Sequence, residues 1–103
     1  MLPLLHIHAI QTPSPQLQLT FVRQPDPVSD GPLLQHWLQH FTPISRLQME
    51  SSLDLVLIRF YFNDQPFYLH AEHYSESCWI DTDSQAADML LSELHRLLAQ
   101  DLV

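Results

Sequence analysis

The chain contains no lysine, and its four arginines stand singly among twelve acidic residues, which gives a net charge of -8. Proteins bind nucleic acids and anionic membrane surfaces through clustered cations. The sequence therefore predicts neither a nucleic-acid partner nor a membrane partner.

Glycine and cysteine are also nearly absent, since Gly31 and Cys78 are the only examples in 103 residues. Loops that cradle phosphate need glycine where the backbone approaches the ligand, so nucleotide binding is not expected. A lone cysteine cannot form an internal disulfide, which fits a reducing compartment. Residues 1–10 lack the basic start and long apolar core of a signal peptide, and we expect a cytoplasmic protein.

The length and the hydrophobic fraction of 46% fit one folded domain over residues 1–103. Alternation of apolar and polar side chains predicts strands at residues 4–10, 16–23 and 44–50, and most strongly at 55–62. Turns at 63–66 and near residue 75 separate this last strand from two further strands. The three strands would form an antiparallel meander that ends at residue 81. We expect an α+β fold with an antiparallel sheet of about four to five strands, and two helices packed on one face as a two-layer sandwich.

Two amphipathic segments predict those helices. Ser29 or Asp30 can cap a helix over residues 31–41, in which Pro32 falls where no backbone N–H is needed. Residues 81–84 can cap the second helix. Its apolar stripe, which should face the core, consists of Ala87, Leu90, Leu91, Leu94, Leu97, Leu98 and Leu102.

Counting outward from the turn at 63–66 places Phe62 opposite Phe67, Arg59 opposite His70, and then His70 opposite Asp81. Arg59, His70 and Asp81 would then form a row on the sheet face away from the helices. Such a row can orient the imidazole or bind an anionic group. The alternative is a solvated polar ladder between strands.

The same counting places Cys78 opposite His73, and a nearby imidazolium lowers the pKa of a thiol. Both residues are expected on the core face, however, where a cysteine usually acts as a small buried hydrophobe. We therefore assign no catalytic residue.

Four of the seven histidines form pairs. His6 and His8 would share one side of a strand, and His36 and His40 lie one helical turn apart. Each pair supplies two ligands, whereas a tight metal site needs three or four ligands with supporting partners. The sequence therefore predicts no metal site and no cofactor.

The sheet face away from the helices carries aromatic and aliphatic side chains that no predicted element covers. A patch of this kind often marks a protein interface, although the N-terminal segment or a long loop is an alternative cover. The candidate ligand or partner face consists of Arg59, His70, Asp81, Leu57, Tyr61, Tyr68, Glu72 and Trp79.

Residues 72–79 read Glu-His-Tyr-Ser-Glu-Ser-Cys-Trp and are followed by Ile80, Asp81 and the leucine-striped helix. This segment resembles a family of short gammaproteobacterial proteins described only as a domain of unknown function. The resemblance rests mainly on Glu72, Ser75, Glu76, Ser77 and Trp79. It implies a small bacterial cytoplasmic protein of the same α+β build, and it carries no activity.

Three functional hypotheses follow. The first is a non-enzymatic module that binds a protein partner or a second copy of itself through the open sheet face or an edge strand. The second is a small-molecule or metal-binding domain that uses Arg59, His70 and Asp81. An enzyme ranks third.

Overall fold

The computed structural model describes residues 3–12 and 14–102, and within that part of the chain six strands and three helices form one α+β unit. All six strands belong to one antiparallel sheet in the order β1-β2-β6-β5-β4-β3. The α+β class and the antiparallel sheet are confirmed. The expectation of four to five strands and two helices was too low. The elements are β1 (Leu4–Ile10), β2 (Gln16–Phe21), α1 (Pro27–Gln39), β3 (Ile44–Ser51), β4 (Leu55–Phe62), β5 (Gln65–Glu72), β6 (Ser77–Asp81), α2 (Gln85–Asp88) and α3 (Leu91–Ala99).

The two strands with the loosest alternation, β1 and β3, occupy the two edges of the sheet. Only Leu4 and Ile7 of β1 and Ile44 of β3 are buried, whereas four side chains of β4 are buried. This explains why their pattern is weaker than that of β4, although strands were predicted at both segments. Pro13, which the sequence places in the turn between β1 and β2, lies outside the described residues.

The first helix begins a turn earlier than predicted. Asp26 caps it by accepting a hydrogen bond of 2.9 Å from the backbone N–H of Val28, and Pro27 takes the first helical position. The prediction that Ser29 or Asp30 caps a helix starting at residue 31 was therefore wrong. An Asp-Pro pair is itself a strong start signal, and it competes with the later candidates.

Asp30 has a different role, because its buried carboxylate turns back toward the start of the helix. It accepts hydrogen bonds from the backbone N–H of Asp26 at 2.7 Å and from Arg23 Nη1 at 2.9 Å. The hydrogen bond from Arg23 is the main cause that lowers the pKa of Asp30, and the bond from Asp26 adds to it. The carboxylate thus ties the end of β2 to α1.

Gly31 allows α1 to lie close to the sheet. A Cβ atom at this position would approach Val56 Cγ2 to 3.1 Å and Met49 Sδ to 3.4 Å. Glycine is unfavourable inside a helix, so close packing on β4 explains its presence here.

The C-terminal helix is divided in two. Ser84 caps α2 as expected, and its side chain accepts from the backbone N–H of Ala87 at 3.1 Å. A turn at Met89 and Leu90 then separates α2 from α3. The leucine stripe continues across this turn on one side, so the apolar pattern gives no sign of the break.

All three helices pack on one face of the sheet and enclose a single core. Along β4, β5 and β6 buried side chains alternate with half-buried ones, as expected for a sheet covered on one side. None of the helices in the described residues has the length and apolar character needed to cross a membrane. The largest fully buried side chains are Phe60, Phe67, Leu4, Leu17, Leu34, Leu38, Ile58, Leu69, Ile80, Leu94, Leu98 and Val56.

The register of the meander differs by two residues from the prediction. Asn63 and Asp64 form a two-residue turn with φ values of 51° and 62°, so Phe62 pairs with Gln65 rather than with Phe67. The next hairpin shifts equally, since Ala71 lies opposite Cys78. A shift of two residues keeps every strand side chain on its face. Apart from His73, which lies in a turn, the predicted core and outer faces of the meander are correct.

Candidate functional site

The outer side of the sheet is left open, because the described helices all pack on the inner side. We call this outer side the open face. All eight residues of the candidate ligand or partner face lie on it, and each is half-buried. They are Leu57, Arg59 and Tyr61 from β4, Tyr68, His70 and Glu72 from β5, and Trp79 and Asp81 from β6.

The predicted straight row of Arg59, His70 and Asp81 was wrong in its register. Arg59 lies opposite Tyr68, and His70 lies between Leu57 and Trp79. Two members of the row still meet diagonally, since His70 Nε2 lies 2.9 Å from Asp81 Oδ1. Arg59 instead donates a hydrogen bond to the side chain of its β3 neighbour Gln48.

A ring pair lies at the centre of the open face. The imidazole of His70 stacks on the indole of Trp79 with centroids 4.7 Å apart and planes 6° from parallel. Trp79 Nε1 donates to Asp81 Oδ2 at 3.2 Å, so one carboxylate accepts from both rings. Since a carboxylate only accepts, Nε2 of His70 carries the hydrogen in this contact. The rings and the carboxylate therefore hold one another in position.

Tyr68 extends this arrangement toward α2. Its hydroxyl donates a hydrogen bond of 2.9 Å to Asp83 Oδ2. Burial raises the pKa of the Tyr68 hydroxyl above its usual value, and the bond to Asp83 adds to the rise, so the hydroxyl remains a donor at neutral pH. Sequence reasoning treated Asp83 only as part of a helix cap. We call Tyr68, His70, Trp79 and Asp81 the central cluster.

One end of the open face is cationic. A bulge in β3 gives Arg46 a φ of 54° and directs its guanidinium over the ring of Tyr61, 4.1 Å from the centroid. Arg46 also pairs with Asp64 at 3.2 Å. The guanidinium of Arg59 lies 5.9 Å from the centroid of the same Tyr61 ring. Sequence reasoning missed Arg46, because a bulge leaves little trace in an alternation pattern.

The opposite part of the open face is acidic. Leu57 lies between Glu50 on β3 and His70 on β5. Glu72 pairs with Leu55 on one side and with Ser77 on the other. The central cluster is thus bordered by carboxylates on one side and by the guanidinium groups of Arg46 and Arg59 on the other.

The predicted pairing of His73 with Cys78 was wrong. Cys78 lies on the inner face opposite Ala71 and is buried, whereas His73 is exposed in the turn after β5. Burial without a compensating partner raises the pKa of the Cys78 thiol to about 12. The thiol therefore packs as a core side chain.

Cys78 should react with a disulfide reagent only when the protein unfolds. At pH 8 a thiol with a pKa of about 12 is almost entirely protonated, and the reactive species is the thiolate. We expect native Cys78 to react with Ellman's reagent more than about 100-fold more slowly than the chain in guanidinium chloride. Native and unfolded rates within a factor of about ten of each other would contradict this burial.

The histidine pairs do not form a complete metal site within one chain. His36 and His40 are exposed at the end of α1, and His6 and His8 are exposed on β1. Among the described residues, no group of three or more His, Cys, Asp or Glu side chains is placed to hold a metal ion. Each pair remains a set of two ligands.

Comparisons with known proteins gave one match. No curated protein and no solved structure matches the chain. The family model described as a protein of unknown function (DUF3630) matches residues 28–100, from the first turn of α1 to the residue after α3. The hairpin of β1 and β2 lies before the matched segment. The chain therefore belongs to the DUF3630 family of proteins of unknown function.

Proposed function

We propose that this domain is a non-enzymatic interaction module that binds a basic segment of a partner protein on the open face. The observation that carries the proposal is the central cluster, in which an imidazole, an indole and a carboxylate are fixed by mutual contacts on an uncovered sheet. Aromatic rings beside carboxylates attract lysine and arginine side chains through cation–π contacts and charge-assisted hydrogen bonds.

The charge of the chain favours a basic partner. With a net charge of -8, the domain attracts cations over long range and repels nucleic acids and other acidic surfaces. Two copies that met face to face would bring two such charges together. A positively charged partner is therefore a better occupant of the open face than a second copy of the chain.

Within the open face, the acidic side is the better place for incoming cations. The ring of Tyr61 already contacts Arg46 at the cationic end. Leu57, by contrast, is flanked by Glu50 and lies two residue pairs away from Glu72 along the β4–β5 ladder. A lysine-rich segment that crosses Leu57 toward Trp79 would contact carboxylates and aromatic rings together.

A small-molecule site at Arg59, His70 and Asp81 receives less support. Small ligands usually bind in concave pockets that bury most of their surface. A cleft of about 270 Å³ lies between the β1–β2 hairpin and the α2–α3 turn, and another of about 310 Å³ lies beside α3. Neither cleft is lined by a residue of the central cluster. The His70–Asp81 contact therefore fits an interface better than a ligand pocket.

Glu72→Gln tests the proposal with decalysine as the probe. Glu72 is half-buried on the open face, and removing its charge takes away a direct contact for lysine. We expect the affinity for fluorescein-labelled decalysine, measured by fluorescence anisotropy, to fall about three- to fivefold.

Glu93→Gln is the matched control, because it removes the same charge from the exposed side of α3. It should change the affinity by less than about twofold. Equal losses in both variants would mean that decalysine senses only the total charge. That result, or the absence of saturable binding, would contradict the proposal.

A further inference from the structure

We propose that His6 and His8 are half of a transition-metal site that a second copy of this chain completes across the open edge of β1. Each copy would supply two imidazoles, and the four together would bind one zinc ion. Imidazole suits zinc, copper and nickel, and four nitrogen ligands match the tetrahedral preference of zinc.

The two imidazoles already lie side by side. His6 and His8 pair with Thr20 and Gln18 of β2, which places both on the outer side of β1, and both are exposed. Their ring centroids are 6.1 Å apart with planes 23° from parallel. Two imidazoles on one tetrahedral zinc ion hold their centroids about 5 Å apart. Because His6 and His8 are exposed, rotation of their side chains is enough to shorten the centroid distance to this value.

The free edge of β1 lacks the charged side chains that usually protect edge strands. The chain has no Asp, Glu, Lys or Arg before Arg23, so β1 is uncharged in a strongly acidic protein. The other edge strand, β3, has a bulge after Ser45 and carries Arg46 and Glu50. Charges and bulges prevent strand pairing between molecules. β1 carries no charge and its bulge lies at Leu5, so residues 6–10, which pair regularly with β2, remain able to pair along the free edge.

A second copy fits this edge better than other occupants. If β1 pairs antiparallel with its copy about Ile7, His6 of each chain lies opposite His8 of the other, with Cβ atoms about 5 Å apart. The ladder would run over residues 6–8, which lie beyond the bulge at Leu5. This span leaves the parallel bridge between Leu4 and Leu102 in place at the start of the strand.

Charge explains why the metal ion is needed. Two copies of net charge -8 repel each other, and three residue pairs on one edge form a small contact. A zinc ion adds two positive charges at the junction and replaces four solvated imidazoles with four metal bonds. The site is incomplete in one chain, since two ligands do not make a tight zinc site.

This inference does not depend on the proposed function. His8 lies on the same side of the sheet as the central cluster, but Gln18 of β2 separates it from Trp79. Decalysine binding and zinc-dependent pairing can therefore succeed or fail separately.

Sedimentation velocity with and without zinc tests the proposal on the full chain. We expect added zinc to lower the dissociation constant of the dimer at least about tenfold, with one zinc ion per two chains and reversal by EDTA. His8→Ala should abolish the effect of zinc. Because His8 is exposed, its replacement should leave the melting temperature of the metal-free protein nearly unchanged.

The double variant His36→Ala/His40→Ala is the matched control, because it removes the other exposed histidine pair. It should dimerise with zinc as the unmodified chain does. The proposal is overturned if zinc leaves the mass of the unmodified chain unchanged. It is equally overturned if zinc-dependent pairing persists in His8→Ala, or is lost in the control.

Discussion

Phe67→Ala is expected to lower the free energy of unfolding by about 3–5 kcal/mol. Phe67 is fully buried on the inner face, and its ring centroid lies 5.7 Å from that of Phe60 and 6.1 Å from that of Phe62. Alanine would leave a cavity among these rings that the strands cannot close, because β4 and β5 hold one another in register. Urea unfolding followed by circular dichroism measures the loss.

Tyr68→Ala is the matched control, since it removes an aromatic ring from the next position of the same strand. Tyr68 is half-buried on the open face, and its truncation removes one hydrogen bond to Asp83. We expect a loss of about 1 kcal/mol. If Tyr68→Ala destabilises the protein as much as Phe67→Ala, the inner and outer faces of the sheet have been assigned wrongly.

Asp30→Asn is expected to lower the free energy of unfolding by about 2 kcal/mol at pH 7. The buried carboxylate accepts from Arg23 and from the backbone N–H of Asp26, and the amide loses the charge that strengthens both bonds. Hydrogen bonds to a charged group contribute more than neutral ones. Asp54→Asn makes the same charge change at an exposed turn and should have little effect.

The effect of Asp30→Asn should depend on pH. The pKa of Asp30 is lower in the folded protein than in the unfolded chain, so ionisation stabilises the fold above the unfolded pKa of about 3.9. This contribution is lost as the pH falls through the folded pKa. Urea unfolding should therefore give a constant difference between the two proteins from pH 6 to 8, and a shrinking one below about pH 4. A difference that grows in acid would contradict the role assigned to Asp30.

The faces of the meander were predictable, whereas its residue pairs were not. Side chains along a strand alternate with a period of two, so the apolar positions of β4 identify the core face without knowledge of any partner. The partner depends on the turn. Asn63 and Asp64 take positive φ values and close a loop of two residues. The predicted pairing of Phe62 with Phe67 corresponds to a loop of four residues, so every observed pair differs from the prediction by two residues.

The central cluster was found in part. His70, Trp79 and Asp81 were all placed on the open face, and the expected contact of His70 with Asp81 is present, although it is diagonal and does not join directly opposite residues. The stacking of His70 on Trp79 follows only from the corrected register. Strand counting therefore identified which side chains share a face, but only some of the contacts among them.

The misplaced helix boundaries have local causes. Asp26 and Pro27 form a start signal that was outweighed by Ser29 and Asp30, three to four residues later. The division at Leu90 leaves no trace in the leucine stripe, because helical φ and ψ angles persist through the turn. Packing on the sheet, which the sequence does not reveal directly, decides where α2 ends and α3 begins.

The open face as the binding surface is tested most directly by mapping decalysine onto the protein with two-dimensional ¹H–¹⁵N NMR. We predict that the largest saturable shifts belong to Leu57, His70, Glu72 and the Trp79 indole, all on the open face. Amides of α1 and α3, on the covered side, should shift little. Shifts that concentrate on α1 or α3, or that spread evenly over the molecule, would contradict the assignment of the open face as the site of binding.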